Sequence, residues 1–253
     1  MTIDQNILQR IQSEADFHDK KFGSKREKDY YAYGFTDLVI KHLFEQIGKV
    51  EDKKVLEIGC GEGWVTKYIA LQGAQVWAFD ISKEAVNLTI NRLKGLHLKY
   101  PTQVEVMAGE ALNYQNGMFD CVIGLAILHH LEFGPALKEI KRVLKSGGKA
   151  CFMEPLGHNP FLNLYRFLTP HLRSKDEKPL RMNQFKMITK HFSNFYHQEF
   201  FLTAIFALVF HFFKLNKLMI SIRNILVKFD TIILKIFPFL KKYCWYSVLI
   251  FEK

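Results

Sequence analysis

Residues 55–64 read VLEIGCGEGW. A short apolar run enters three glycines on alternate positions, Gly59, Gly61 and Gly63, and leaves into a helical pattern. Glycine is selected where the backbone must turn left-handed or lie against another group. A strand, a glycine turn and a helix in succession present bare N–H groups at a helix N-terminus, a site for anions and nucleotides. A dinucleotide fingerprint would read G-x-G-x-x-G. Here the third glycine comes one residue early, and Glu57 precedes the turn. The next apolar run ends at Asp80, seventeen residues after Gly63. A carboxylate there suits a ribose diol, because it accepts two hydrogen bonds at once. The plainer reading makes Asp80 a partner of the helix N-cap beside Ser82.

Working outward, strands and helices alternate. Strands are expected at 54–59, 75–80, 103–108, 119–126 and 149–154, and helices at 64–71, 83–97 and 134–144. This alternation predicts an α/β domain with a mostly parallel sheet. The strands are continuously apolar, as sheets covered on both faces require. Upstream, Ile7, Leu8, Ile11 and Ala15 mark a helix within 4–20, and a second helix covers 35–47. Downstream, a short helix is expected at 161–168, another at 181–191, a strand near 196–202 and a last strand at 247–252. These elements divide the chain into 1–48 for N-terminal helices and lid, 49–155 for the nucleotide-binding core and 156–202 for a substrate-side segment with the penultimate strand. Residues 203–242 form an apolar and basic helical insertion, and 243–253 the last strand.

The 253 residues suffice for one large domain, and 49% are hydrophobic. The net charge of +10 suits nucleic acid, an anionic membrane or an acidic substrate, and does not choose among them. Cys60, Cys121, Cys151 and Cys244 have no metal-ligand spacing and read as buried free thiols in a reducing compartment. The N-terminus lacks the apolar stretch of a secretory signal.

With these segments in order, the chain resembles the class I S-adenosylmethionine (SAM) dependent methyltransferases over about residues 50–155. VLEIGCGEG resembles the family's first motif and AFDIS its second. GEALNY (109–114), FDCVIGLAILHHLE (119–132) and RVLKSGGKACFMEP (142–155) match later ones. The resemblance implies a Rossmann-like seven-stranded, mostly parallel sheet with an antiparallel last strand, a helical insertion between the last two strands, and SAM as cofactor. It implies that Gly59, Gly61 and Gly63 lie under the methionine part, that Glu57 orders the turn, and that Asp80 holds the ribose hydroxyls. Ile81 would cover the adenine, Glu110 would accept from its amine, the Ala111 N–H would read the ring edge, and Leu125 and Ala126 would line the pocket at the sulfonium. For Glu110 the alternative is a solvated loop acid; for Ile81 and Leu125 it is ordinary core.

Methyl transfer from SAM is an in-line displacement, so positioning does most of the work, with a base where the acceptor ionises poorly. His129, His130 and His158 are the candidate catalytic residues, with Glu154, Tyr30 and Tyr31 also in view; hydrogen-bonded structural roles are the alternative. The patch FHDKKFGSKREKDYY (17–31) reads either as a lid over SAM or as a solvated basic linker. The D/N-P-P-Y/F/W sequence that resembling base methylases carry after strand 4 is missing; the chain has GLAILHH there. No nucleic-acid partner is expected, and no metal.

The segment 200–213 carries no formal charge but is too short to span a bilayer. Residues 215–237 read as one helix, with Leu215, Leu218, Met219, Ile222, Ile225, Leu226, Phe229, Ile232, Ile233 and Ile236 on a broad apolar face. Lys214, Lys217, Lys228 and Lys235 lie on a narrow polar stripe. Residues 199–253 hold eight basic and three acidic residues, net +5. That is the pattern of an interfacial helix; the alternative is a core helix or pocket lid. Arg166 and Arg173 stand as candidates for an acidic group on the acceptor, or as surface charges. The expected function is methyl transfer to a hydrophobic or lipid-linked small molecule, in the cytoplasm and peripheral to the inner face of the membrane through 203–242. The other readings are a soluble acceptor under a lid, or a non-catalytic SAM- or lipid-binding protein.

Overall fold

The computed structural model describes residues 5–23 and 34–253. Seven strands form one sheet: β1 (Lys54–Ile58), β2 (Gln75–Asp80), β3 (Gln103–Val106), β4 (Phe119–Leu125), β5 (Leu144–Pro155), β6 (Asn194–Phe200) and β7 (Tyr246–Glu252). Their order is β3-β2-β1-β4-β5-β7-β6. The first five are mutually parallel, and β7 runs antiparallel to both β5 and β6. The expected Rossmann-like sheet with an antiparallel last strand is thus observed. Its strand order reverses beside β1, so the carboxyl ends of β1 and β4 open a crevice there.

Val55 and Leu56 show why the strands read as unbroken apolar runs. Neighbouring strand residues face opposite sides, yet both are fully buried. On one face Val55, Val76, Cys151 and Ile250 meet Val39 and Leu43 of α2 (Asp37–Ile47) and Ile69 of α3 (Trp64–Leu71). On the other, Leu56, Ile58 and Phe152 meet Leu137 and Ile140 of α5 (Phe133–Val143) and Ile188 of α7 (Phe185–His191). Each such side chain contributes about 1.5–3 kcal/mol on burial. All four cysteines are free and buried.

Several boundaries differ from expectation. The helix after β2, α4 (Lys83–Leu93), stops short of 97 because Lys94 turns extended before Gly95 at φ 79°. β3 ends at Val106, two residues early, and β5 starts already at Leu144, its register against β4 shifting between the Phe119–Leu144 and Cys121–Lys149 pairs. The helix expected at 181–191 is a 3₁₀ turn (Met182–Gln184) followed by α7.

The insertion between β6 and β7 contains a 3₁₀ helix (Ala204–Leu208), the short α8 (Val209–Phe212), α9 (Asn216–Ile236) and a 3₁₀ helix (Pro238–Tyr243). Two polar residues in the middle of α9 anchor it. Asp230 accepts from the N–H groups of Leu202, Thr203 and Ala204 at 2.9–3.2 Å. Arg223 donates to the Gly34 and Phe35 carbonyls and lies over the Phe35 ring. The broad apolar face of α9 is therefore divided. Met219 and Leu234 are buried, whereas Leu218, Ile225, Phe229, Ile232 and Ile236 are exposed.

The N-terminal helix α1 (Gln5–Gly23) also docks differently from its apolar pattern. Leu8 is exposed, and Glu14 is the helix's buried residue. The docked side is built on Arg10, Glu14 and His18, at i, i+4 spacing on one helix face.

Candidate active site

The first carboxyl edge feature is the glycine turn. Gly59, Gly61 and Gly63 all have positive φ (71°, 52° and 75°), but for different reasons. A Cβ on Gly59 would come 2.7 Å from Ile127, and one on Gly63 would come 2.8–2.9 Å from Thr89, backbone included. A Cβ on Gly61 would meet only the Phe22 ring of α1, at 3.6 Å. Two of the glycines are fixed by the protein itself, and Gly61 faces the crevice under α1.

Asp80 ties this turn to β2. Its Oδ2 accepts from the Gly61 N–H and its Oδ1 from the Ser82 N–H, both at 2.9 Å. Ser82 is the N-cap of α4, its Oγ accepting from the Ala85 N–H at 3.1 Å. The capping partnership is therefore present, and it still leaves each carboxylate oxygen a second lone pair. Burial pushes the Asp80 carboxyl up, against the pull of the Ser82 and Gly61 N–H groups. Glu57 is fully enclosed and meets the Thr66 hydroxyl at 2.5 Å; burial raises its carboxyl to about 8.

Glu110 is buried rather than a solvated loop acid. Its Oε1 accepts from the Glu132 N–H at 2.9 Å and meets Arg10 at 3.4 Å, while Oε2 is buried without a hydrogen-bond partner among the described residues. Burial raises its pKa. The Ala111 N–H donates to the Ala108 carbonyl at 3.3 Å, so it serves its own turn. Ile81 and Leu125 are partly buried, and Leu125 packs against the core. Next to Leu125, Ala126 is held at φ 52°, a conformation that costs a non-glycine residue about 1–2 kcal/mol.

That bend starts the turn Leu128–His130, and Glu154 at the end of β5 caps it. The fully buried Glu154 accepts from the N–H groups of Ile127, Leu128 and His129 at 2.8–3.3 Å and lies 2.7 Å from His129 Nδ1. Burial lowers His129 to about 4 and raises Glu154 to about 7. His129 is accordingly neutral near pH 7, with Nδ1 hydrogen-bonded to the Glu154 carboxyl. His130 is 3.0 Å from Glu14 of α1 through Nδ1, and burial lowers its pKa.

The structure brings His129 and His130 together, their rings 4.2 Å apart. His158 makes no hydrogen bond or ring contact to either among the described residues; it is partly buried, its pKa lowered by desolvation and by Arg181 and Lys242. Arg166 donates to the Leu156 carbonyl and Asn163; Arg173 donates to the Thr169 carbonyl and pairs with Glu177. Both arginines are used to hold the 156–177 segment. Tyr30 and Tyr31 lie outside the described residues, as does most of the basic patch; its first part, 17–23, is the end of α1.

Sequence reading missed how α1 closes the crevice. Arg10 donates to the His130 carbonyl and reaches Glu110 and Glu132, and Asp19 accepts from the Ser82 hydroxyl at 2.6 Å. Phe22 covers Gly61. One helix thus touches the loops that leave β1, β2, β3 and β4. The signal was available as Arg10, Glu14 and His18 at four-residue steps, but the apolar positions drew the reading. A small cavity of about 90 Å³ lies beside Arg10, His129 and Glu132. A larger one, about 400 Å³, lies beside Lys54 and Gln103, the first residues of β1 and β3, away from these groups.

A sheet that reverses order at a glycine turn, with a carboxylate at the neighbouring strand end, defines a Rossmann-like fold. Residues 56–152 match the family described as Methyltransferase domain. That match spans the core from β1 to β5, and the chain as a whole shares its fold with solved methyltransferases.

A ubiquinone biosynthesis O-methyltransferase of Xanthomonas oryzae pv. oryzae is 36% identical over 109 residues, covering 42% of this chain and 44% of the relative. One from Alkalilimnicola ehrlichii is 29% identical over 54% of this chain and 55% of its own length. The chain thus matches about half the length of these relatives. Among solved structures, geranyl diphosphate C-methyltransferase from Streptomyces coelicolor A3(2) superposes with a TM-score of 0.66 at 11% identity, over 96% of this chain and 97% of that one. Phosphoethanolamine N-methyltransferase 2 of Haemonchus contortus gives 0.62 at 15%, over 100% of this chain and 60% of that one. At these identities the superpositions establish the fold.

Proposed function

We propose that the chain transfers a methyl group from SAM to a hydrophobic or lipid-linked small-molecule acceptor, at a membrane surface. The observation that carries the cofactor part is the pairing of Asp80 with Gly61 beside the unpartnered buried Oε2 of Glu110. A nucleoside supplies what both lack: a ribose diol to donate to Asp80 and an adenine amine to donate to Glu110. Gly61 puts no side chain in the way of the amino-acid end, with Glu57 behind the turn and Ile81, Ala111 and Leu125 around the ring and sulfonium. When bound, SAM would supply an electrophilic methyl on a sulfonium. The chain's part is then to exclude water and set the line of attack, with α1 as the cover. His129 is neutral and held by Glu154, which suits a pocket wall. His130 and His158 remain the candidate bases.

The acceptor reading draws on topology. β6 runs parallel to β5, so the insertion leaves the sheet at the same edge as the glycine turn. There Phe161 of α6 (Pro160–Leu168) meets Phe206 with ring centroids 5.3 Å apart. Phe167 and Phe212 stand 79% and 71% exposed on either side, too open for core residues. Lys214, Lys217, Lys228 and Lys235 accompany the exposed stripe of α9, as anionic headgroups require. Among the described residues no helix is long and apolar enough to cross a membrane, so the contact would be interfacial. The curated relatives are named for ubiquinone biosynthesis, and one structural neighbour for geranyl diphosphate; both names point to prenylated compounds.

The test is transfer of radiolabelled methyl from SAM into a total lipid extract and into a soluble extract. Label is expected in the lipid fraction. Label in the soluble fraction alone replaces the acceptor reading with a lidded pocket. Failure of the protein to bind S-adenosylhomocysteine by calorimetry overturns the enzyme reading as a whole.

A further inference from the structure

We propose that Glu14, His18 and His130 form a site for one divalent transition-metal ion of the zinc type, joining α1 to the turn after β4. Two imidazole nitrogens from distant segments converge on one carboxylate oxygen. His130 Nδ1 is 3.0 Å and His18 Nε2 3.4 Å from Glu14 Oε2. All three ligand atoms fall within 4.8 Å of one another. Ligand atoms held 2.0–2.1 Å from a tetrahedral ion stand about 3.3 Å apart, and the two nitrogen-to-oxygen separations, 3.0 and 3.4 Å, bracket that value. Nitrogen and carboxylate ligands of this kind suit zinc and the neighbouring first-row ions rather than magnesium or calcium.

A second observation sets this cluster apart from an ordinary ion pair. Glu14 is 3% exposed, and its other oxygen, Oε1, is buried with no hydrogen-bond partner among the described residues. A carboxylate so placed, with both imidazoles on one oxygen, has an unspent lone pair that an ion would use. Ser174 Oγ lies 3.5 Å from His130 Nδ1, a neighbouring oxygen that could orient the ring. A neighbouring cluster, His129, His130 and Glu177, shares one ligand, but His129 Nδ1 is already committed to Glu154. Three protein ligands leave a fourth position for water or for an oxygen of an acceptor. The ion would fix the cover over the crevice with bonds stronger than the present hydrogen bonds. This inference stands apart from the cofactor reading, because it uses neither Asp80 nor the glycine turn; it makes His130 a ligand and leaves His158 as the candidate base.

The experiment uses the full chain, stripped with chelator and dialysed against zinc or cobalt(II) at pH 7.5. Bound metal is counted by mass spectrometry, and cobalt ligation is read from its visible absorption. One equivalent per chain is expected, with a tetrahedral cobalt spectrum. Glu14→Gln and His18→Ala should each weaken binding by about 100-fold, while His97→Ala, at an exposed histidine, leaves it unchanged. Circular dichroism confirms that each variant is folded; His18→Ala, at a side chain 15% exposed, guards against loss of fold in the Glu14 variant. No stoichiometric binding by the unaltered chain, or binding retained in both variants, overturns the site. S-adenosylhomocysteine calorimetry on the same samples reports the cofactor site independently.

Discussion

The two ends of the sheet's carboxyl edge solve opposite problems. Between β2 and β5, buried carboxyl groups are held in place: Asp80 by the Gly61 and Ser82 N–H groups, Glu57 by the Thr66 hydroxyl, and Glu154 by three successive N–H groups. Little there can move without leaving a buried polar group unpaired, which costs about 1–3 kcal/mol. At the β6–β7 end the polar groups, Arg223 and Asp230, are spent on anchoring α9, and the surface turned outward is apolar. One part of this edge is a rigid polar floor, and the other a tethered helix with an exposed apolar stripe.

The sharpest way to break this contrast is Asp80→Ala. Two charge-assisted hydrogen bonds to a ribose are each worth about 1.5–3 kcal/mol. Affinity for S-adenosylhomocysteine should therefore fall by about 100-fold or more in calorimetry, with Asp80→Asn in between. Unchanged affinity would place the nucleotide elsewhere.

Next come the glycines, which the geometry ranks. Gly63→Ala drives a Cβ to within 2.9 Å of the Thr89 backbone at φ 75° and should cost about 2–4 kcal/mol in urea unfolding. Gly61→Ala has room and carries only its conformational cost, about 1–2 kcal/mol. Equal losses at the two would show that the turn, not its neighbours, sets the requirement. At the other end, Asp230→Ala orphans the N–H groups of Leu202, Thr203 and Ala204 and should cost about 2–3 kcal/mol. A smaller loss would mean that α9 is held by its apolar contacts alone.

Glu57 offers a pH test of the polar floor. Its pKa rises from 4.5 unfolded to about 8 folded, so the folded chain keeps a proton that the unfolded chain releases. Stability from this group is full below pH 4.5 and is lost as pH rises through about 8. Glu154, raised to about 7, adds a similar slope that ends sooner. Between pH 7 and 8, Glu57→Gln should therefore flatten the decline in unfolding free energy by about 1 kcal/mol. A variant with the original slope would show Glu57 ionised in the folded protein.

Legibility in the sequence runs along the same divide. VLEIGCGEG, AFDIS and the apolar runs were readable because local pattern and tertiary role agree there: alternate glycines, a terminal carboxylate, strands buried on both faces. α1 was not, since its docking face is polar and Ile7, Leu8, Ile11 and Ala15 outvoted Arg10, Glu14 and His18 in a hydrophobic count. In α9 the helix and its apolar face were visible, but not the split between buried Met219 and exposed Ile225. Periodicity reports a face and not what covers it. The buried roles of Arg223 and Asp230 carried no pattern at all, because their partners are backbone groups of residues 34–35 and 202–204.

That split yields the smallest expected effect. Ile225 and Ile232 are 62% and 58% exposed and contribute little to folding. Replacing both with serine should leave unfolding free energy within about 0.5 kcal/mol of the original. The same change removes two apolar side chains from the outer stripe, so flotation with anionic liposomes should fall while the urea midpoint stays put. A core role for the stripe predicts the reverse: a lower midpoint and unchanged flotation. The two readouts move in opposite directions, so one double variant decides whether α9 is a wall of the domain or its contact with a lipid surface.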